Sequence, residues 1–232
     1  MIFDIFYSGY TLGEKIIILT AYVLAIGFAI IIHELAHGYI AGTQGDYTAK
    51  YAGRMTFNPM AHFDVLGLVM FCIIGLGWAK PVPVNPNNFR KQKKGIVLVS
   101  LAGVTANFIV SALSFAFWIL FSFALSIDGL IGLFLYELFY YSTLINIALI
   151  AFNLLPIYPL DGFRLVEVLT KPQNRYRQFM YKYGSYVFVA LIGLGFIADF
   201  TGVFYLDVLG MYMSFVQTLI LRLFALVGGI FI

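Results

Sequence analysis

The chain has 232 residues, of which 62% are hydrophobic, 18% aromatic and only 11% charged, against about 25% charged in a typical soluble domain. Mean hydropathy is +0.93, which excludes a water-soluble globular protein and leaves no stretch resembling a nucleic-acid module. Net charge is +3, and in so apolar a chain the basic residues report membrane orientation before they report partners.

The opening residues, "MIFDIFYSGYTLGEK", lack the basic start and small-residue cleavage site of a secretory signal. The first apolar segment is therefore expected to stay in the mature protein. A spanning helix needs about 20 mainly apolar residues. Residues 16–41, 96–125, 130–155 and 208–232 reach that length. Residues 183–198 reach it when extended toward 204. Residues 65–79 are shorter and hold three glycines, which suits a re-entrant or interfacial segment better than a crossing. The single cysteine, Cys72, lies there and reads as buried packing.

Between Gln44 and Pro59 apolar and polar residues alternate from Tyr47 to Phe57. That period predicts an amphipathic strand or hairpin, either a cap over the site or an edge for an extended peptide. The stretch "KPVPVNPNNFRKQKKG" is proline-spaced, then basic, and reads as a loop. The predicted fold is an all-α polytopic membrane protein. It has five to six transmembrane helices, a re-entrant segment and a small membrane-associated β strand or hairpin. With five spans, all three basic loops fall on one side and only Lys15 on the other, which fits the positive-inside rule. The N-terminus is then outside and the C-terminus cytoplasmic.

The first helix contains HELAH, His33 to His37. On a helix, residues i and i+4 share a face, so His33 and His37 can reach one metal ion. Glu34 lies beside it, placed to take a proton from water. Ionisable residues inside a span are expensive and mark a functional site. Zinc in a catalytic site takes three protein ligands, so a third must come from elsewhere. Among the acids, Asp161 in "NLLPIYPLDGFRL" follows a helix broken by Pro156 and Pro159. Locally it reads equally well as the N-cap of a helix over 162–170. Glu167 is a further candidate. His62, the remaining histidine, reads as a loop hydrogen-bonding group. Glu137 is read as reaching the outer interface, and Asn146 as a polar wall or an interhelical hydrogen bond. The basic run over 171–182 is expected to contact anionic lipid.

HELAH, "GVTAN" (Gly103 to Asn107) and "NLLPIYPLDG" together resemble, in order, the motifs of the site-2 protease family of intramembrane zinc metallopeptidases. The resemblance covers about residues 26–168. The stretch "GWAKPVPVNPNNFR" looks like the compact prokaryotic branch without a PDZ domain. Val104 stands where that family's middle motif usually has proline. The resemblance implies one zinc per chain on His33, His37 and Asp161, with Glu34 as catalytic base. It implies substrate-binding or carbonyl-stabilising roles for Asn107 and Asn153. It also implies single-span membrane protein substrates within the lipid bilayer. Residues 1–232 are then one protease domain, with a catalytic core over about 16–170 and C-terminal helices over 183–232.

The metal ligands must meet at one depth. If residues 65–79 re-enter, the helix bearing His37 and the helix before Asp161 end on the same side, which is the cytoplasmic side of a prokaryotic cell membrane. Three rival readings remain. One is a metal-binding membrane transporter, for which the chain has few spare ligands. Another is a non-catalytic helix-binding relative, against which Glu34 speaks. The third is a membrane protease with Glu167 as third ligand.

Overall fold

The structure is a computed structural model describing residues 9–64, 67, 80–124 and 127–228. Five helices among these are long and apolar enough to cross a membrane. The first, α1 (Leu12–Gln44), opens on a capping box: Thr11 and Glu14 satisfy each other's backbone N–H groups. It stops at Gly45, whose φ of 106° suits glycine.

The predicted strand over residues 47–57 is not formed. Residues Thr48–Tyr51 make a helical turn, α2, and Gly53 turns the chain at φ 67°. The cause is Asp46. Its carboxylate accepts from the Thr48 N–H and hydroxyl, which commits the backbone to a turn before alternation can act. Exposure follows the turn: Ala49 is buried, whereas Tyr47 and Tyr51 are both exposed. A second short helix, α3 (Pro59–His62), is capped by Asn58. The predicted re-entrant segment, 65–79, lies outside the described residues apart from Gly67.

The chain re-enters the bundle through α4 (Gln92–Ile119), which continues as a wider turn over Leu120–Ala124. Next comes α5 (Gly129–Asn153). The most extensive packing is among α1, α4 and α5. Their directions follow from who touches whom. Ile18, Tyr22 and Ile26 of α1 pack on Tyr141 and Leu133 of α5, so these two helices run parallel. In contrast, His37 meets Val99 and His33 meets Asn107, so α4 runs antiparallel to both. The chain leaves α1 and approaches α4 at one end of the bundle, where the Arg90 N–H donates to Gln44 O at 2.9 Å.

After Asn153 the chain folds back into α6 (Asp161–Leu169). Gly162 permits this: a Cβ there would lie 2.5 Å from the carbonyl oxygens of Leu154 and Leu155. The last spans are α7 (Arg175–Thr201) and α8 (Val208–Val227). The first absorbs most of the basic run, because it starts at Arg175, eight residues before the predicted start at 183, with Asn174 as its cap. Ile157 and Phe163 pack on Met180 of α7, while Ile220 and Phe224 of α8 pack on Phe115 and Ile147.

Candidate metal centre

His33 and His37 project from one face of α1, and Asp161 opens α6. These donor atoms lie within 4.8 Å of one another. The Asp161 Oδ2 is 3.3 Å from His33 Nε2 and 2.9 Å from His37 Nε2, and the two Nε2 atoms are 3.0 Å apart. Both histidines are only 6% exposed. Asp161 does not cap α6, since no side chain caps that helix and its oxygen faces the histidines.

This donor set fits a metal ion. His37 Nδ1 faces the Val99 carbonyl at 2.7 Å, which can only accept. The ring hydrogen therefore sits on Nδ1, and Nε2 presents a lone pair. Two imidazole nitrogens and a carboxylate so close repel one another unless a cation sits among them. Zinc at about 2.0–2.2 Å from each tetrahedral ligand would place the ligands about 3.3–3.6 Å apart, slightly wider than the 2.9–3.3 Å observed. Gly103 leaves room for the ring, as a Cβ there would lie 2.4 Å from His33 Cε1.

Glu34 lines the same cavity, of about 150 Å³, together with Val82, Asn153 and Arg164. Its Oε2 accepts the Val82 N–H at 2.7 Å. Sequence reasoning missed this contact because a backbone donor leaves no side-chain signature. The one available signal is that Pro81 and Pro83 have no N–H, so Val82 is the sole donor among the three. The segment is anchored on both sides of Val82. Arg54 Nη2 donates to Lys80 O at 2.5 Å and Pro81 O at 3.2 Å. Asp46 accepts the Asn85 N–H at 2.7 Å and Asn88 Nδ2 at 2.8 Å. Asp46 is only 1% exposed. Burial raises its pKa, but the bonds from Thr48, Asn88 and Asn85 prevail and lower it.

The other sequence-derived candidates are distributed differently. Asn153 lines the cavity and donates to Leu149 O at 3.0 Å. Asn107 is fully buried outside the cavity lining, 2.6 Å from His33 Nδ1. Glu167 is turned to Arg177 and Tyr181, not to the histidines. His62 Nε2 meets Thr56 O at 2.7 Å, a loop hydrogen bond. Glu137 is 9% exposed within the bundle.

Comparison with known proteins agrees with the geometry. The family model "Peptidase family M50" matches residues 21–192. The chain is 39% identical over 161 residues to the Bacillus subtilis (strain 168) protein YwhC, whose given name proposes a zinc metalloprotease. That alignment covers 68% of this chain and 74% of the relative. No solved structure matches. With its apolar helices and its matched motifs, the chain is a multi-pass membrane protein that belongs to peptidase family M50, the site-2 protease family of zinc metalloproteases.

Proposed function

We propose that the protein is an intramembrane endopeptidase that holds one zinc per chain on His33, His37 and Asp161 and cuts single-span membrane proteins in or near their transmembrane segments. One observation carries this reading: Glu34 lines the cavity that the three donors share. Zinc in such a site supplies Lewis acidity toward water and the scissile carbonyl. Glu34 takes the proton from the attacking water and returns it to the leaving amine. The Val82 N–H fixes one oxygen of Glu34, and the carboxylate keeps lone pairs for that proton. Asn153 retains its oxygen and a second amide hydrogen for the peptide backbone.

Lys50, Arg54, Lys80, Arg90 and Lys91 sit at the bundle end nearest the site, and Lys15 at the other. By the positive-inside rule this distribution supports a cytoplasmic site end. A transport reading needs further ligand clusters along a path, and the described residues hold one such group. The test is cleavage of a model single-span substrate in liposomes by wild type and Glu34→Gln. Loss of cleavage with zinc retained supports the assignment; a Glu34→Gln variant that still cleaves at the wild-type rate contradicts it.

A further inference from the structure

Ser142 of α5 offers a backbone carbonyl that can only accept, and Asn146 Nδ2 donates to it at 2.7 Å. That contact settles the direction of the Asn146 amide, so its Oδ1 faces Asn107. An amide oxygen also only accepts, so Asn107 must present its Nδ2, at 2.8 Å. The Asn107 Oδ1 is thereby turned to His33 Nδ1 at 2.6 Å. It too can only accept, so His33 carries its ring hydrogen on Nδ1 and its lone pair on Nε2. Each link excludes the opposite orientation of the next. Both asparagines are 0% exposed, where water cannot satisfy a reversed amide. Neither lines the cavity.

We propose that Asn146, acting through Asn107, sets the tautomer and orientation of His33, so that a residue touching neither the cavity nor the metal donors tunes metal affinity. The inference rests on the reading of His33 as a zinc ligand. Asn107 is then a positioning residue, and its amide nitrogen is directed to Asn146 and not to a substrate carbonyl. His37 needs no such chain, because the Val99 carbonyl holds it directly. Partners of this kind behind a metal-bound histidine typically contribute about 10–100-fold in affinity.

The experiment uses the full-length protein in detergent, with zinc affinity read by chelator competition. Asn146→Leu frees the Asn107 amide to turn, and a loss of about 10–100-fold is expected. Adding Asn107→Asp to Asn146→Leu is expected to restore most of that loss, since a carboxylate can only accept from Nδ1. A purely structural defect would not be repaired in this way. Nitrogen NMR of ¹⁵N-histidine-labelled, metal-free wild type at alkaline pH reads the tautomer without any substitution. Finding His33 with its hydrogen on Nε2, or wild-type zinc affinity in Asn146→Leu, overturns the relay. If His33→Ala loses zinc while Asn146→Leu does not, the relay alone falls. If His33→Ala binds zinc like wild type, the metal assignment falls as well.

Discussion

The backbone N–H of Val82 donates to Glu34 Oε2 at 2.7 Å, joining a proline-flanked segment to the acid beside the histidine pair. A hydrogen bond to a charged group contributes about 1.5–3 kcal/mol, or roughly 10–100-fold in rate if it holds the base in place. Val82→Pro removes the donor, whereas Val82→Ala keeps it. Substrate cleavage is expected to fall by about 10–100-fold in the first and stay near wild type in the second, with zinc retained in both. Equal rates in the two variants would break the link between Val82 and Glu34.

Gly103 tests the space around His33. Exchanging glycine for alanine inside a helix ordinarily stabilises by about 1 kcal/mol. Here the new methyl group would lie 2.4 Å from the His33 ring, and overpacking of that kind costs about 1–3 kcal/mol. The clash falls on a proposed zinc ligand, so it should appear in zinc binding first. Gly103→Ala is expected to weaken zinc by at least about tenfold, as measured by chelator competition. Unchanged affinity would mean that His33 does not need this position.

Asp46 predicts a pH dependence. Its pKa lies below the ordinary 3.8 in the folded chain, so the folded protein binds that proton more weakly than the unfolded chain. Its stabilisation is complete above the unfolded value and is lost as pH falls through the folded one. Thermal unfolding of wild type and Asp46→Asn should therefore differ at neutral pH and converge in acid below the usual carboxylate range. A difference that persists undiminished in acid would show that the Asp46 charge plays no part.

Arg54 is the second anchor of the same segment. Arg54→Ala removes the donors to Lys80 O and Pro81 O. Cleavage is expected to drop by about tenfold, the scale of one charge-assisted hydrogen bond, while zinc content is unchanged. A joint loss of zinc would place Arg54 in support of the ligands instead.

The sequence made the helices and half of the site legible for simple reasons. Spans follow from apolar length, and the spacing of His33 and His37 follows from the helical repeat. Asp161 was reachable only because a broken helix and a resemblance both pointed to it; the local pattern equally allowed a cap. Residues 47–57 misled because alternation says nothing of a preceding aspartate, Asp46, that captures the N–H and hydroxyl of Thr48. The sequence reads Asn107 as a substrate binder, and its identity does not reveal that Asn146 and His33 are the neighbours its amide meets. The Val82 contact belongs to the backbone, which the side-chain code does not record.

The assignment of His33, His37 and Asp161 as one metal centre is tested most directly by zinc analysis of purified wild type and Asp161→Ala. About one zinc per wild-type chain, with less than about a tenth of that in Asp161→Ala, is the expected result for a three-ligand site that loses its carboxylate. Full zinc content in Asp161→Ala would contradict it.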